Sequence, residues 1–113
     1  MIELKFMKRK TIKDQETKIN IKNNNIMIPE KGKFLVDFYA DWCGPCKAMN
    51  PTLEQFTEVS DIELLKCNVD KESEAARKYG VRSIPCFIVV EDGLEINRKI
   101  GMQTLDQLKK LVE

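Results

Sequence analysis

An α/β sandwich around a mixed sheet is the fold class the sequence predicts, from three observations. Apolar patterning switches along the chain between strand-like and helix-like periods in the order strand, helix, strand, helix, hairpin, helix. Asp92-Gly93 lies between two apolar runs, a strong signal for an antiparallel pair of strands. A length of 113 residues, 42% hydrophobic and 33% charged, suits one domain over residues 1–113 with a single core.

Composition changes near position 30. Residues 8–33 are dominated by Lys, Asn, Thr, Gln and Glu with isolated isoleucines, so residues 1–30 form an atypical N-terminal segment. Within it, Ile2, Leu4 and Phe6 alternate with Glu3 and Lys5, and Ile19 and Ile21 alternate with Lys18, Asn20 and Lys22. Two short strands are expected there, followed by a turn at Asn23-Asn24-Asn25. Residues 34–40 read as a buried strand of β-formers interrupted only by Asp37. Cys46, Met49, Leu53 and Phe56 then recur at three- and four-residue spacing, which predicts a helix over about 45–59 with that stripe on the core. Pro51 removes the bond to the Lys47 carbonyl and predicts a kink one turn beyond the cysteines.

Residues 62–69 have strand character and end at Asp70, the expected N-cap of a short helix through Ala75, Ala76 and Tyr79, with Gly80 as its stop. Residues 86–90 and the alternating Leu94, Ile96, Arg98 and Ile100 make the arms of the hairpin. Thr104 and Gln107 form a capping box for a last amphipathic helix carrying Leu105, Leu108, Leu111 and Val112.

Nineteen basic and eighteen acidic residues leave a formal charge of +1, which gives no basis for a nucleic acid or an anionic membrane as the main partner. Lys8-Arg9-Lys10 reads as a solvated stretch. No apolar run is long enough to cross a bilayer, and the charged first ten residues lack the hydrophobic stretch of a secretory signal. The expectation is a reducing, cytoplasmic compartment, where adjacent cysteines are catalytic or metal-binding rather than structural. The chain has no histidine, which removes imidazole both as a general base and as a zinc ligand.

The chemistry lies in Trp42-Cys43-Gly44-Pro45-Cys46-Lys47. Two cysteines at this spacing can make and break a disulfide when the second sits on the first turn of a helix; by spacing alone they are either a redox pair or half of a metal site. A helix N-terminus favours a thiolate, so Cys43 is expected at the N-cap as the exposed attacker, with Cys46, on the buried stripe, as the resolving thiol. Pro45 suits the first helical position, Gly44 permits a sharp turn and close approach of a substrate backbone, and Trp42 would shield one side of the sulfur. Asp37, a carboxylate in an apolar strand just before the loop, is expected to have a raised pKa and to exchange a proton with Cys46 through a water. Lys66 in the next strand is its candidate partner. Cys67 and Cys86 read as small buried residues, Cys86 close to the active loop.

This loop, preceded by Val36-Asp37-Phe38-Tyr39-Ala40 and followed by Pro51, Asn68-Val69-Asp70, Tyr79-Gly80-Val81-Arg82-Ser83-Ile84-Pro85, Asp92-Gly93 and Gly101, resembles the thioredoxin family from about Phe34 onward. The resemblance implies a thioredoxin fold, with a central mixed sheet of four to five strands flanked by helices. It also implies a protein-disulfide reductase that works through Cys43 and Cys46 in electron transport and redox homeostasis, with Asp37 and Lys66 as a buried acid-base pair. A cis proline at Pro85 would pack against the disulfide, and Trp42, Ser83, Ile84, Pro85 and Gly101 would form a groove for an extended substrate strand. Further implications are a monomer with no bound cofactor or metal, disulfide-containing client proteins, and a thioredoxin reductase that recharges the pair. The competing readings are a disulfide oxidase or isomerase, a zinc module using Cys43, Cys46, Cys67 and Cys86, and a docking module. Gly44-Pro45 stands where oxidants of this kind tend to carry histidine, which favours reduction.

Overall fold

The computed structural model describes residues 28–113; the strands expected near 2–6 and 19–21 and the turn at 23–25 lie outside the described residues. The order of elements is β1 (Lys33–Tyr39), α1 (Gly44–Ala48), α2 (Asn50–Val59), β2 (Glu63–Asn68), α3 (Ser73–Lys78), β3 (Cys86–Glu91), β4 (Leu94–Ile100) and α4 (Leu105–Leu111). The strands form one mixed sheet in the order β2-β1-β3-β4, with β1 parallel to β2, antiparallel to β3, and β3 antiparallel to β4.

Strand β1 is central and covered on both faces, which is why it reads as a near-continuous apolar run. Alternation sends Leu35 to one side, where it packs with Met49, Leu53 and Phe56 of the first helical layer and Leu108 and Leu111 of α4. Val36 and Phe38 point the other way, into a cluster with Ala76 of α3 and Ile88 and Val90 of β3. Asp37 shares its parity with Leu35 and therefore faces the side of the sheet that carries α1 and α2.

The single helix expected over 45–59 is divided at Met49 into α1 and α2. Pro51 stands in the first turn of α2 and has no N–H for the Lys47 carbonyl, so the ladder loosens there. Just before the break, the Met49 N–H is shared between the carbonyls of Pro45 and Cys46, both at 3.2 Å. The N-cap expectation for Asp70 is corrected. Helix α3 begins at Ser73 behind Glu72, which makes no side-chain cap bond. The Asn68 Oδ1 accepts the Asp70 N–H at 2.9 Å, an Asx-type turn that places Asp70 before the helix and turns its carboxylate elsewhere. Gly80 ends α3 as expected, at φ +64 with its N–H on the Arg77 carbonyl at 3.1 Å.

Asp92 and Gly93 have φ of 53° and 85°, the pair of left-handed residues that a two-residue hairpin of this hand requires. Both bonds of the capping box are present: the Gln107 N–H donates to Thr104 Oγ1 at 3.1 Å and the Thr104 N–H to Gln107 Oε1 at 2.8 Å. These local devices anchor the framework that presents the 40–47 loop at the carboxyl end of β1.

Candidate active site

Cys43 and Cys46 are joined in a disulfide with their Cα atoms 5.2 Å apart. Cys43 is the extended N-cap of α1, Pro45 lies in the first turn, and the Cys43 Sγ accepts the Cys46 N–H at 3.1 Å. An N–H aimed at this sulfur favours its thiolate over its thiol once the bond is reduced. Contrary to expectation, Cys43 is not exposed: both cysteines are only 4% accessible. The Cys43 sulfur turns back over the helical turn to reach Cys46, and Ala40, Tyr39, Val69 and Ile84 pack around the pair. What distinguishes the two is position on the helix, with Cys43 before it and Cys46 inside it.

Trp42 is 70% exposed, and its Nε1–H donates to Asp70 Oδ2 at 2.8 Å. Gly44 is exposed beside it with open space where a side chain would stand. The Ile84–Pro85 peptide is cis, and Pro85 is fully buried at the head of β3. Ile84 touches the cysteine cluster, and Ser83 is exposed one residue earlier. Gly101 joins this group by donating its N–H to the Pro85 carbonyl at 2.8 Å; its φ of +94 is one that a side chain would strain.

Asp37 is 2% exposed and opposes Lys66 in the parallel register of β1 and β2, with Lys66 Nζ 3.6 Å from its Oδ2. Burial pushes the carboxyl up from 3.8 to about 6, and the nearby ammonium pulls it part of the way back. Desolvation is the larger effect because Lys66 is 40% exposed and its charge is shared with water. Cys46 and Lys66 both line a cleft of about 390 Å³, together with Tyr39, Ala40, Asp41, Lys47 and Asn50. Asp37 is connected to this cleft through its ion pair with Lys66.

Three contributors escaped the sequence. Asn50 accepts a hydrogen bond from Lys66 Nζ at 3.0 Å, the Tyr39 ring lies 4.7 Å beneath that ammonium, and Asp70 holds Trp42. Asn50 follows Cys46 by four residues, so helical spacing was the one signal that pointed to it.

Cys67 and Cys86 are free and buried on either side of Phe38, one in β2 and one in β3. Burial raises both thiols, and the Glu72 carboxylate raises Cys67 further. Among the described residues no three His, Cys, Asp or Glu side chains are grouped to hold a metal ion, and no helix is long and apolar enough to cross a membrane.

Beyond this geometry, a family model described as Thioredoxin matches residues 10–113. The chain belongs to the thioredoxin family. Thioredoxin of Chlamydia caviae is 44% identical over 82 residues, covering 72% of this chain and 80% of that protein. Thioredoxin of Bacillus subtilis is 42% identical over 84 residues, covering 73% and 81%. Among solved structures, a thioredoxin mutant from Halobacterium salinarum superposes with a TM-score of 0.69 at 39% identity over 74% of each chain. The mixed sheet, four strands among the described residues, with its flanking helices is thus the thioredoxin fold, and the Cys43–Cys46 disulfide is the redox pair of a thiol-disulfide reductase. The oxidase or isomerase reading is not favoured.

Proposed function

We propose that Cys43 is the nucleophile, Cys46 the resolving thiol, and Asp37 with Lys66 the acid-base pair of a protein-disulfide reductase. The observation that carries the assignment is the placement of the disulfide: Cys43 caps α1 with a hydrogen bond to its sulfur, while Cys46 opens onto the cleft that reaches Lys66.

In the reduced protein the Cys43 thiolate attacks one sulfur of a client disulfide. A bond forms between Cys43 Sγ and that sulfur, the client S–S bond breaks, and the departing client thiolate takes up a proton. Cys46 then gives its proton to the Asp37 carboxylate, and the new thiolate attacks Cys43 Sγ. The Cys43–Cys46 bond forms, the mixed disulfide breaks, and the second client thiolate leaves and is protonated. Counting the proton that Cys43 releases on ionising, the client gains two electrons and two protons and the dithiol loses both. With its pKa at about 6, Asp37 is mostly ionised at pH 7 and close enough to that pH to act as a base.

Trp42, Gly44, Pro45, Ser83, Ile84, Pro85 and Gly101 form the surface that receives an extended client segment: Gly44 and Pro45 separate the two cysteines, Ile84 packs against them after Ser83, Gly101 is tied to Pro85, and Trp42 is the large exposed ring of the loop. The protein is a cytoplasmic monomer folded as one domain, acts on disulfide-containing proteins, and is recharged by a thioredoxin reductase in the service of redox homeostasis. The assignment is tested by coupling NADPH oxidation through a thioredoxin reductase to reduction of a model protein disulfide. Cys46→Ser should accumulate a mixed disulfide at Cys43 that mass spectrometry detects. Retention of turnover in Cys43→Ser would sink the assignment.

A further inference from the structure

We infer that Asn50 is a positioning residue of this site: its side-chain oxygen holds the Lys66 ammonium beside Asp37. The inference rests on the reading of Asp37 as the proton acceptor of Cys46. A lysine that is 40% exposed has water as a competitor for its charge, and its 3.6 Å separation from Asp37 Oδ2 is longer than a hydrogen bond. The directional bond goes instead to Asn50 Oδ1 at 3.0 Å. The identity of that amide atom follows from chemistry, since an ammonium only donates. Tyr39 supports the same ammonium from beneath, with its ring centroid 4.7 Å away.

The backbone explains why Asn50 can reach. The break at Met49 restarts the helix at Asn50, one turn beyond Cys46, so its side chain enters the cleft that Cys46, Tyr39 and Lys66 also line. Asn50 is thereby linked through a single lysine to the group that receives the Cys46 proton. Without it the lysine spends more of its time in solvent, and Asp37 keeps its full desolvation while losing part of the attraction that offsets it.

The experiment follows the Asp37 carboxyl carbon by ¹³C NMR through a pH titration of the oxidised protein, in which neither active-site thiol is free to interfere. In Asn50→Ala the midpoint should rise by roughly half a pH unit, a fraction of what a close opposite charge contributes. Asn50→Ser keeps a polar residue at the start of α2 but is too short to reach the ammonium, and should shift the midpoint equally. In a Lys66→Met background Asn50→Ala should produce no further shift. A midpoint that is unchanged or lowered by Asn50→Ala, or a shift that persists without Lys66, overturns the inference. A separate measurement guards the reading beneath it, the pH profile of mixed-disulfide resolution. If the Asp37 midpoint moves while that profile stays in place, Asn50 positions Lys66 but Asp37 is not the base.

Discussion

The chain's four cysteines occupy two environments, and the contrast between them shows that location decides what a thiol does. Cys43 and Cys46 lie where a strand gives way to a helix, so the Cys43 sulfur receives a backbone N–H and Cys46 adjoins a cleft with a buried carboxylate nearby. Cys67 and Cys86 are equally buried but lie within strands, packed against Phe38 and its apolar neighbours. Their thiols are pushed up, in one case with Glu72 adding its charge, which disfavours the reactive thiolate. Burial alone therefore separates nothing here; donors and acceptors around the sulfur do.

The sharpest attempt to break this contrast is Cys43→Ser. A hydroxyl at the N-cap keeps the fold but is a far poorer nucleophile, so turnover in the reductase-coupled assay should fall by roughly a thousandfold or more. Activity that survives would mean another cysteine attacks, and the contrast would collapse.

Next in size is Asp37→Asn, which should slow mixed-disulfide resolution at pH 7 by roughly ten- to a hundredfold. The same change should make the oxidised protein more stable. A folded-state pKa raised from 3.8 to about 6 means the folded chain holds a proton that the unfolded chain has already released. Stability therefore falls as pH rises from about 4 to 6 and stays flat above, a loss of about 3 kcal/mol that Asn does not suffer. Urea unfolding at pH 4 and pH 7 checks the sign: the variant's advantage should appear only at the higher pH.

A smaller effect is expected from Asp70→Asn, whose neutral amide weakens the acceptor for Trp42 Nε1–H. One such bond contributes about 1 kcal/mol, so KM for a protein disulfide should rise up to about fivefold with kcat little changed. The smallest belongs to the sheet cysteines. Cys67→Ala and Cys86→Ala should leave turnover within about twofold and cost about 1 kcal/mol of stability from lost packing. In the reduced native protein, iodoacetamide should label Cys43 well before either of them. Rapid labelling of Cys86, which directly follows the cis proline, would place it in the reactive class.

Much of the fold was legible because its signals are local. The hairpin turns on two adjacent residues, the capping box on four, and the interruption after α1 on the N–H that Pro51 lacks. The redox pair was legible for the same reason, its geometry being set within one helical turn. Asp37 stood out as a carboxylate among apolar neighbours, and the parallel register did bring Lys66 opposite it. Asp70 was misread for an instructive reason. A carboxylate before a short helix satisfies every local rule for a cap, but the Asn68 side chain took the turn and Trp42, 28 residues away, took the carboxylate. The depth of Cys43 was misjudged because its burial depends on Ile84, which arrives from a different loop.

Residue types and spacing were enough to pick out the two sulfurs and the helix that carries them, since those relations lie within a few bonds of one another, and the ordered motifs around them decided between a redox pair and half of a metal site. Strand pairing and the packing of distant loops settled how that chemistry is tuned. They set how far Asp37 is desolvated, where Lys66 is held between Asn50 and Tyr39, and how closely the cysteines are enclosed. A pKa depends on every dipole and charge within several ångströms, and the chain brings most of those together only when it folds.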